Sequence, residues 1–153
     1  MKIDMDYIKN HDAAFCATAC LSRICKQYNK IKSITQIRQS IETKNNNATL
    51  KNFDNGANLL GFDTKNSRMS FELLNSEFTL PAVVYTITKY NCGNFITLSR
   101  IKNGKIRYYD PLKGDRTISI REFYNNFPGI LLFLTPTEEF NNIEEISTQK
   151  VTG

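Results

Sequence analysis

The sequence predicts an α+β fold in which N-terminal helices pack on a C-terminal antiparallel sheet. In the first sixty residues, apolar side chains recur at three- and four-residue intervals, which is the spacing of one helix face. After Pro81 short runs become rich in β-branched and aromatic residues, and Asn103-Gly104 between two such runs is typical of a hairpin turn. A chain of 153 residues is long enough for one domain with a hydrophobic core.

Two helices are predicted at the start of the chain. The first covers residues 14–28 and stops at Asn29, because asparagine tolerates left-handed backbone. Its apolar stripe consists of Ala17, Cys20, Leu21, Ile24, Cys25 and Tyr28. The second covers residues 34–41, with Ser33 as its N-cap. Its inward side chains are expected to be Ile34, Ile37 and Ile41.

A third helix is predicted between a Thr49 cap and Gly61, with Leu50, Phe53, Ala57 and Leu60 on its apolar side. Strands are predicted over residues 82–88, 95–101, 105–110, 117–118 and 130–135, with a short helix over residues 119–127. The sequence beyond Pro136 is polar and holds few apolar residues. We therefore place the folded domain at residues 1–136 and a polar linker or tail at residues 137–153.

Composition excludes several classes of protein. No apolar run approaches the roughly 20 residues that cross a bilayer, and the first residues lack the order of a signal peptide, so we expect a soluble intracellular chain. The net charge of +5 comes mostly from lysines spread along the sequence, which favours a solvated surface over a nucleic-acid site. Three of the four cysteines fall in the first helix without zinc-type spacing, so packed, reduced thiols are expected, with no metal or cofactor.

Cys16 is the candidate nucleophile, since it lies at the predicted start of the first helix. A helix N-terminus lowers the pKa of a thiol and favours the thiolate that attacks. A cysteine in this place followed by an antiparallel sheet is the layout of papain-like cysteine peptidases. The layout alone does not distinguish a nucleophile from a structural cysteine, because α+β domains bury thiols in similar places.

Four segments in order make the comparison more specific: IKNHDAAFCATACL, TLKNFDNGANLLGF, LPAVVYTITKYNCGNFITL and RYYDPLKG. Together, over about residues 6–136, they resemble the papain-like peptidase domain of bacteriocin-processing ABC exporters. The resemblance implies removal of the leader of a bacteriocin or related peptide after a double-glycine site. It also implies attached transmembrane and ATPase domains and a location on the cytoplasmic side of the bacterial cell membrane.

Carried over position by position, the resemblance assigns Cys16 as the nucleophile and Asn94 to the place of the general-base histidine. Asp110 corresponds to the acid that orients that histidine, and Asn10 to the oxyanion-hole glutamine. A carboxamide cannot take a proton from a thiol, so Asn94 removes the base. Asparagine at position 10 keeps an NH₂ donor but is one methylene shorter than glutamine.

Three further residues bear on the candidate site. Phe15 and Ala17 replace the aspartate and glycine that are usual beside the cysteine, and His11, the only histidine, is expected in an exposed loop. Asp110 precedes a proline, so turn chemistry alone also explains it. A two-residue Asn103-Gly104 turn would pair Asp110 with Thr97 and send its side chain to the opposite face of the sheet from Asn94. A three-residue bulged loop would return the two side chains to the same face.

Three functions remain open from the sequence. The first is a degenerate peptidase-like domain that binds a leader peptide with little or no cleavage. The second is an active cysteine peptidase that removes double-glycine leaders. The third is an adaptor domain unrelated to export.

Overall fold

The structure, a computed structural model, describes residues 5–29, 32–41, 50–86 and 95–138, with side chains from residue 15 onward. The first part of the chain is helical: α1 is Met5–Gln27, α2 is Ile34–Ile41 and α3 is Leu50–Leu59. The strands follow as β1 (Phe62–Arg68), β2 (Ala82–Thr86), β3 (Phe95–Lys102), β4 (Lys105–Asp110), β5 (Gly114–Ser119) and β6 (Gly129–Pro136). Two short helices lie between strands, α4 (Phe71–Leu74) and α5 (Ile120–Asn126).

The six strands form one sheet in the order β1-β6-β2-β3-β4-β5, and every neighbouring pair is antiparallel. Helices cover both faces at its centre, which explains why β2 and the first half of β3 are apolar at nearly every position. On one face Val83 and Phe95 pack with α1, α2 and α3. On the other face Val84 and Ile96 pack with α4 and α5. The α+β prediction, with N-terminal helices on an antiparallel sheet, is confirmed.

Local signals for chain reversal are also confirmed. Asn29, at φ 59°, ends α1 in the left-handed region, and Gly61, at φ 96°, follows α3 in the same way. Asn103 and Gly104 both have positive φ, 54° and 72°, as a two-residue type I′ hairpin turn requires. Ser33 caps α2, because its Oγ accepts the Gln36 N–H at 3.0 Å, while the Ser33 N–H donates to the Gln36 side chain at 3.2 Å.

Two details of the helix predictions are wrong. The first helix begins at Met5 and not near residue 14, since nothing between Met5 and Cys16 is a glycine or proline that would interrupt it. Ile34 is 66% exposed, whereas Ile37 and Ile41 are buried. Ile34 opens the helix at its outer end, so α1 and α3 cover only the side chains one and two turns later.

β1 and α4 are absent from the sequence-based prediction. β1 reads FDTKNSR, and Phe62 is its only buried residue, so it carries no alternating apolar pattern. It forms because its backbone pairs with β6 along its whole length. The predicted Thr49 cap, the end of the strand at residues 87–88, and Cys92 lie outside the described residues. The division at residue 136 stays a prediction.

Candidate active site

Cys16 lies in the interior of α1, eleven residues after the helix begins at Met5. Only the first four N–H groups of a helix are free of intrahelical partners, so the anion-stabilising end of α1 is not at Cys16. The side chain is fully buried among apolar neighbours that include Phe95. The prediction that Cys16 occupies a helix N-terminus is therefore wrong, and its side chain is 0% exposed.

Cys20 follows one turn later and faces the sheet beside Thr97 of β3. Burial raises the pKa of its thiol from 9.0 to about 12, while the Thr97 hydroxyl and the guanidinium of Arg23 oppose the shift. A thiol with such a pKa stays protonated at neutral pH and is a poor nucleophile. Cys16, Cys20 and Cys25 are all buried and none of them is joined in a disulfide, which confirms for these three the expectation of packed, reduced thiols.

Asp110 ends β4 and is 1% exposed. Its Oδ1 accepts the Leu112 N–H at 2.9 Å, and its carbonyl accepts the Lys113 N–H at 3.0 Å. The first bond forms an Asx turn and the second closes a β-turn, as an Asp-Pro pair predicts. The Asp110 charge also contributes to the raised pKa of Cys20, so the carboxylate lies near the thiol-bearing face of α1. Its location is compatible with both a turn role and a site role.

The register between β3 and β4 contains a bulge. The turn has two residues and Lys102 pairs with Lys105, but beyond Ser99 the register shifts so that Thr97 pairs with Tyr109. The predicted pairing of Asp110 with Thr97 is therefore wrong. Asp110 instead lies on the same face of the sheet as the even-numbered residues at the start of β3, such as Ile96. The extra residue lies within β3, whereas the sequence pointed to an extra residue only in the loop between β3 and β4.

Arg23 joins α1 to the sheet edge at this point. Its guanidinium carbon lies 3.9 Å from the centre of the Tyr109 ring, and its Nη2 is 3.4 Å from Oδ1 of Asp115. Burial raises the pKa of the Tyr109 hydroxyl above its usual value. The sequence analysis missed this group, because 92 residues separate Arg23 from Asp115 and no local pattern links them.

Two of the four predicted site residues cannot be located with their side chains. Asn94 lies outside the described residues, as does the Cys92 beside it. Asn10 belongs to α1, but its side chain and that of His11 are outside the description. Since α1 includes position 11, the backbone of His11 is helical and not in the predicted loop. The structure thus brings Cys20 and Asp110 together and leaves the roles of Cys16, Asn94, Asp110 and Asn10 as predictions.

A groove of about 770 Å³ opens where β2 ends and β6 begins. Its lining includes Arg68, Met69, Tyr85, Tyr124, Gly129 and Ile130. Gly129, at φ 159°, lies against the Tyr85 carbonyl so closely that a methyl group there would collide with it. Tyr85 also packs on the apolar cluster that contains Cys16, with its ring 5.0 Å from that of Phe95. Tyr85 therefore borders both the groove and the apolar cluster that contains the candidate nucleophile.

The described residues meet the requirements of neither a metal site nor a membrane-spanning helix. Among them, no three histidine, cysteine, aspartate or glutamate side chains cluster in a way that would hold a metal ion. Within the same ranges, no helix combines the length and apolar character needed to span a bilayer.

Comparison with known proteins identifies the family of this chain. The chain is 25% identical over 146 residues to the lactococcin-G-processing and transport ATP-binding protein LagD of Lactococcus lactis. That match covers 92% of this chain but 20% of the relative, so the chain spans about a fifth of that protein's length.

Two solved structures share the fold. A double glycine motif protease from an AMS/PCAT transporter, in complex with its leader peptide, is 28% identical with a TM-score of 0.70, covering 82% of this chain and 86% of the other. The peptidase domain of Streptococcus ComA is 23% identical with a TM-score of 0.72, covering 89% and 96%. The model of the peptidase C39 family matches residues 4–139. With a cysteine-bearing helix packed on this antiparallel sheet and a family match over nearly the whole chain, the protein belongs to the peptidase C39 family.

Proposed function

We propose that this chain is a degenerate leader-peptidase-like domain of a bacteriocin or peptide exporter, which binds the leader of its cargo with little or no cleavage. The observation that carries the proposal is an asparagine, Asn94, where the resemblance to the family assigns the general-base histidine, in a chain that has Cys16 and Asp110. Loss of one member of a nucleophile–base unit typically lowers the rate by several orders of magnitude. Binding does not require that unit.

The surroundings of Cys16 support weak or absent cleavage. The side chain is fully buried in the middle of α1, away from the free N–H groups at the helix start. Its neighbour one turn on, Cys20, has a pKa raised to about 12 and offers no substitute thiolate.

Retained leader recognition is supported by the groove at Tyr85. The 28% identical relative was solved with a leader peptide bound, so a leader is the occupant we propose for this chain. In the described part of its lining, the groove presents one cation, Arg68, beside apolar and aromatic side chains such as Met69 and Tyr124. Tyr124 is 39% exposed and its ring stands edge-on to that of Phe71, 6.1 Å away. Such a surface suits an amphipathic peptide segment.

The similarity to a much longer transport protein, of which this chain spans about a fifth, supports a proposal for where the domain works. We propose that transmembrane and ATPase domains of an exporter adjoin this domain, and that it works on the cytoplasmic face of the bacterial cell membrane. The polar sequence over residues 137–153 would then serve as a linker.

The test combines binding and cleavage. Fluorescence anisotropy with a labelled double-glycine leader peptide should give micromolar binding, and mass spectrometry after overnight incubation should show intact peptide. The paired substitutions Arg68→Gln and Tyr124→Ser should weaken binding about tenfold, whereas Leu59→Ser, which removes an apolar side chain 68% exposed outside the groove, should not.

The same assay distinguishes the other functions. Cleavage at the double glycine that disappears in Cys16→Ala would establish the alternative, an active cysteine peptidase that removes leaders; retention of Cys16 and Asp110 favours that candidate. Absence of both binding and cleavage would indicate an adaptor unrelated to export.

A further inference from the structure

The β3–β4 hairpin carries four cations in two directly opposed pairs. Arg100 pairs with Arg107, and Lys102 pairs with Lys105. All four side chains are exposed, and together with Asn103 and Thr117 they line a groove of about 320 Å³. Among the described residues that line it, none is acidic. Four of the twenty lysines and arginines of the chain are therefore gathered on one hairpin. We call Arg100, Lys102, Lys105 and Arg107 the basic hairpin.

The fold does not need these charges. Like charges directly opposite each other in an antiparallel pair are destabilising. The hairpin is held by its type I′ turn and by Ile101 and Ile106, which pair with each other and pack on the opposite face of the sheet. Four neutral side chains would serve the strands equally well. The arrangement therefore points to an anionic partner.

The positive surface continues past the bulge. Ser99, whose hydroxyl donates to the Arg107 carbonyl at 3.2 Å, also lines a smaller groove of about 250 Å³ with Arg23 and Lys26 of α1. Asp115 neutralises Arg23 through its ion pair, but Lys26 extends the cationic surface toward the end of α1.

The chemistry of the groove selects among anionic partners. The described residues of its lining include no aromatic side chain on which a base could stack and no apolar side chain to receive one from a peptide. Clusters of four to eight Lys and Arg residues bind anionic lipid headgroups, at roughly 1 kcal/mol per residue near the surface. An extended cationic face suits a layer of anionic headgroups, because electrostatic attraction to such a layer does not require a shaped pocket.

We infer that the basic hairpin docks this domain on the anionic phospholipid surface of the membrane. The inference rests on the proposed function, since a domain attached to an exporter works beside a bilayer. Binding through headgroups alone is weak and salt-dependent, so it would orient the domain without inserting it.

Vesicle co-sedimentation tests this docking. Wild-type protein should bind vesicles of phosphatidylcholine with about 30% phosphatidylglycerol at 50 mM salt, release at about 500 mM salt, and ignore pure phosphatidylcholine. The variant Arg100→Gln, Lys102→Gln, Lys105→Gln, Arg107→Gln should bind at least tenfold more weakly. The matched control Arg38→Gln, Lys51→Gln, Lys65→Gln, Lys113→Gln removes the same charge from exposed positions elsewhere and should lose less than threefold. Urea unfolding verifies that both variants are folded.

The outcomes separate this inference from the proposed function. Equal losses in the two variants, or no binding to anionic vesicles, would overturn the docking while leader binding remained. Tighter binding to a DNA duplex or to a poly-glutamate peptide than to the vesicles at the same salt would assign the surface to another partner and also overturn it. Leader binding should be unchanged in the hairpin variant. Vesicle binding without leader binding would support the docking and count against the proposed function.

Discussion

Thr97 of β3 lies directly opposite Tyr109 of β4, because Ser99 is an extra residue in β3. The shift places Thr97 against the thiol of Cys20 and Tyr109 beneath the guanidinium of Arg23. It also sets Asp110 in phase with the even-numbered residues of β3. One bulged residue thus determines which side chains of two strands meet α1.

Deletion of Ser99 should leave the pairing of the two strands in place. Without the extra residue, the Arg100–Arg107 pair would be followed directly by Leu98 opposite Tyr108, so each side chain keeps its face of the sheet. We expect a loss of less than about 2 kcal/mol in the free energy of unfolding, measured with urea. Ser99→Ala, which removes only the 3.2 Å bond to the Arg107 carbonyl, should cost less than about 1 kcal/mol. A loss well above about 3 kcal/mol on deletion would mean that the local twist of the bulge is itself needed.

Burial of Cys20 predicts a loss of stability at alkaline pH. The thiol ionises near pH 9.0 in the unfolded chain and at about 12 in the folded one, so between these values the unfolded state binds fewer protons. Stability is therefore fully present below pH 9 and falls as pH rises toward 12, by up to about 1.4 kcal/mol per pH unit. The Tyr109 pKa is raised by burial as well, so above pH 10 it adds a loss of the same sign.

Comparison with Cys20→Ala isolates the thiol contribution. The variant lacks the group that titrates, so the stability difference between wild type and variant should shrink by about 1–2 kcal/mol between pH 8 and pH 10.5. Urea unfolding at the two pH values measures it. Parallel pH curves for the two proteins would show that the buried thiol does not resist ionisation.

Arg23 should matter more for its contact with Tyr109 than for its ion pair. Both Arg23 and Asp115 are 43% exposed, so solvent screens the pair and Asp115→Asn should cost less than about 0.5 kcal/mol. Arg23→Ala also loses the contact over the ring at 3.9 Å and should cost about 1 kcal/mol. Arg23→Lys should fall between them, because lysine keeps the charge without the planar group. Unfolding midpoints in 0.1 and 0.5 M NaCl measure all three, and equal losses for Asp115→Asn and Arg23→Ala would contradict this order.

The sequence predicted those elements whose residues carry their own signal. The hairpin at Asn103-Gly104, the left-handed ends at Asn29 and Gly61, and the Ser33 cap depend on backbone preferences within a few residues, and all four are confirmed. β1 could not be predicted in this way, because its pairing with β6 across more than sixty residues, and not its own pattern, makes it a strand.

The candidate site shows the same division. The assignment of Cys16 and Asp110 as site residues came from the matching sequence segments. The environment of Cys16 could not be predicted in that way, because no residue between Met5 and Cys16 signals a helix boundary, and the helix therefore starts well before the cysteine. The contact between Arg23 and Tyr109 depends on the bulge at Ser99, and a single serine in a strand does not indicate a bulge.

Gly129→Ala should damage both the fold and the groove beside Tyr85 that we propose for the leader. A methyl group at this position would meet the carbonyl of Tyr85, and the φ of 159° is unfavourable for a residue with a side chain. We expect a loss of roughly 3 kcal/mol in the free energy of unfolding. Gly104→Ala is the matched control, since it also has positive φ, 72°, but no atom within 4 Å, and should cost about 1 kcal/mol. A leader-binding assay on folded Gly129→Ala should show weaker binding, with Gly104→Ala unchanged.

Restoring the base tests whether this is a peptidase site that has lost a single function. In Asn94→His the imidazole supplies the proton acceptor that a carboxamide lacks, and general-base catalysis is typically worth 10²–10⁴-fold. We expect leader cleavage to rise by at least about 10², measured by mass spectrometry under single-turnover conditions, and to vanish when Cys16→Ala is added. Adding Asp110→Asn instead should lower the rate tenfold or more if the carboxylate orients the histidine, since asparagine can still accept the Leu112 N–H and keep the turn. Unchanged activity in Asn94→His would mean that burial of Cys16 within α1, and not the missing base alone, prevents leader cleavage.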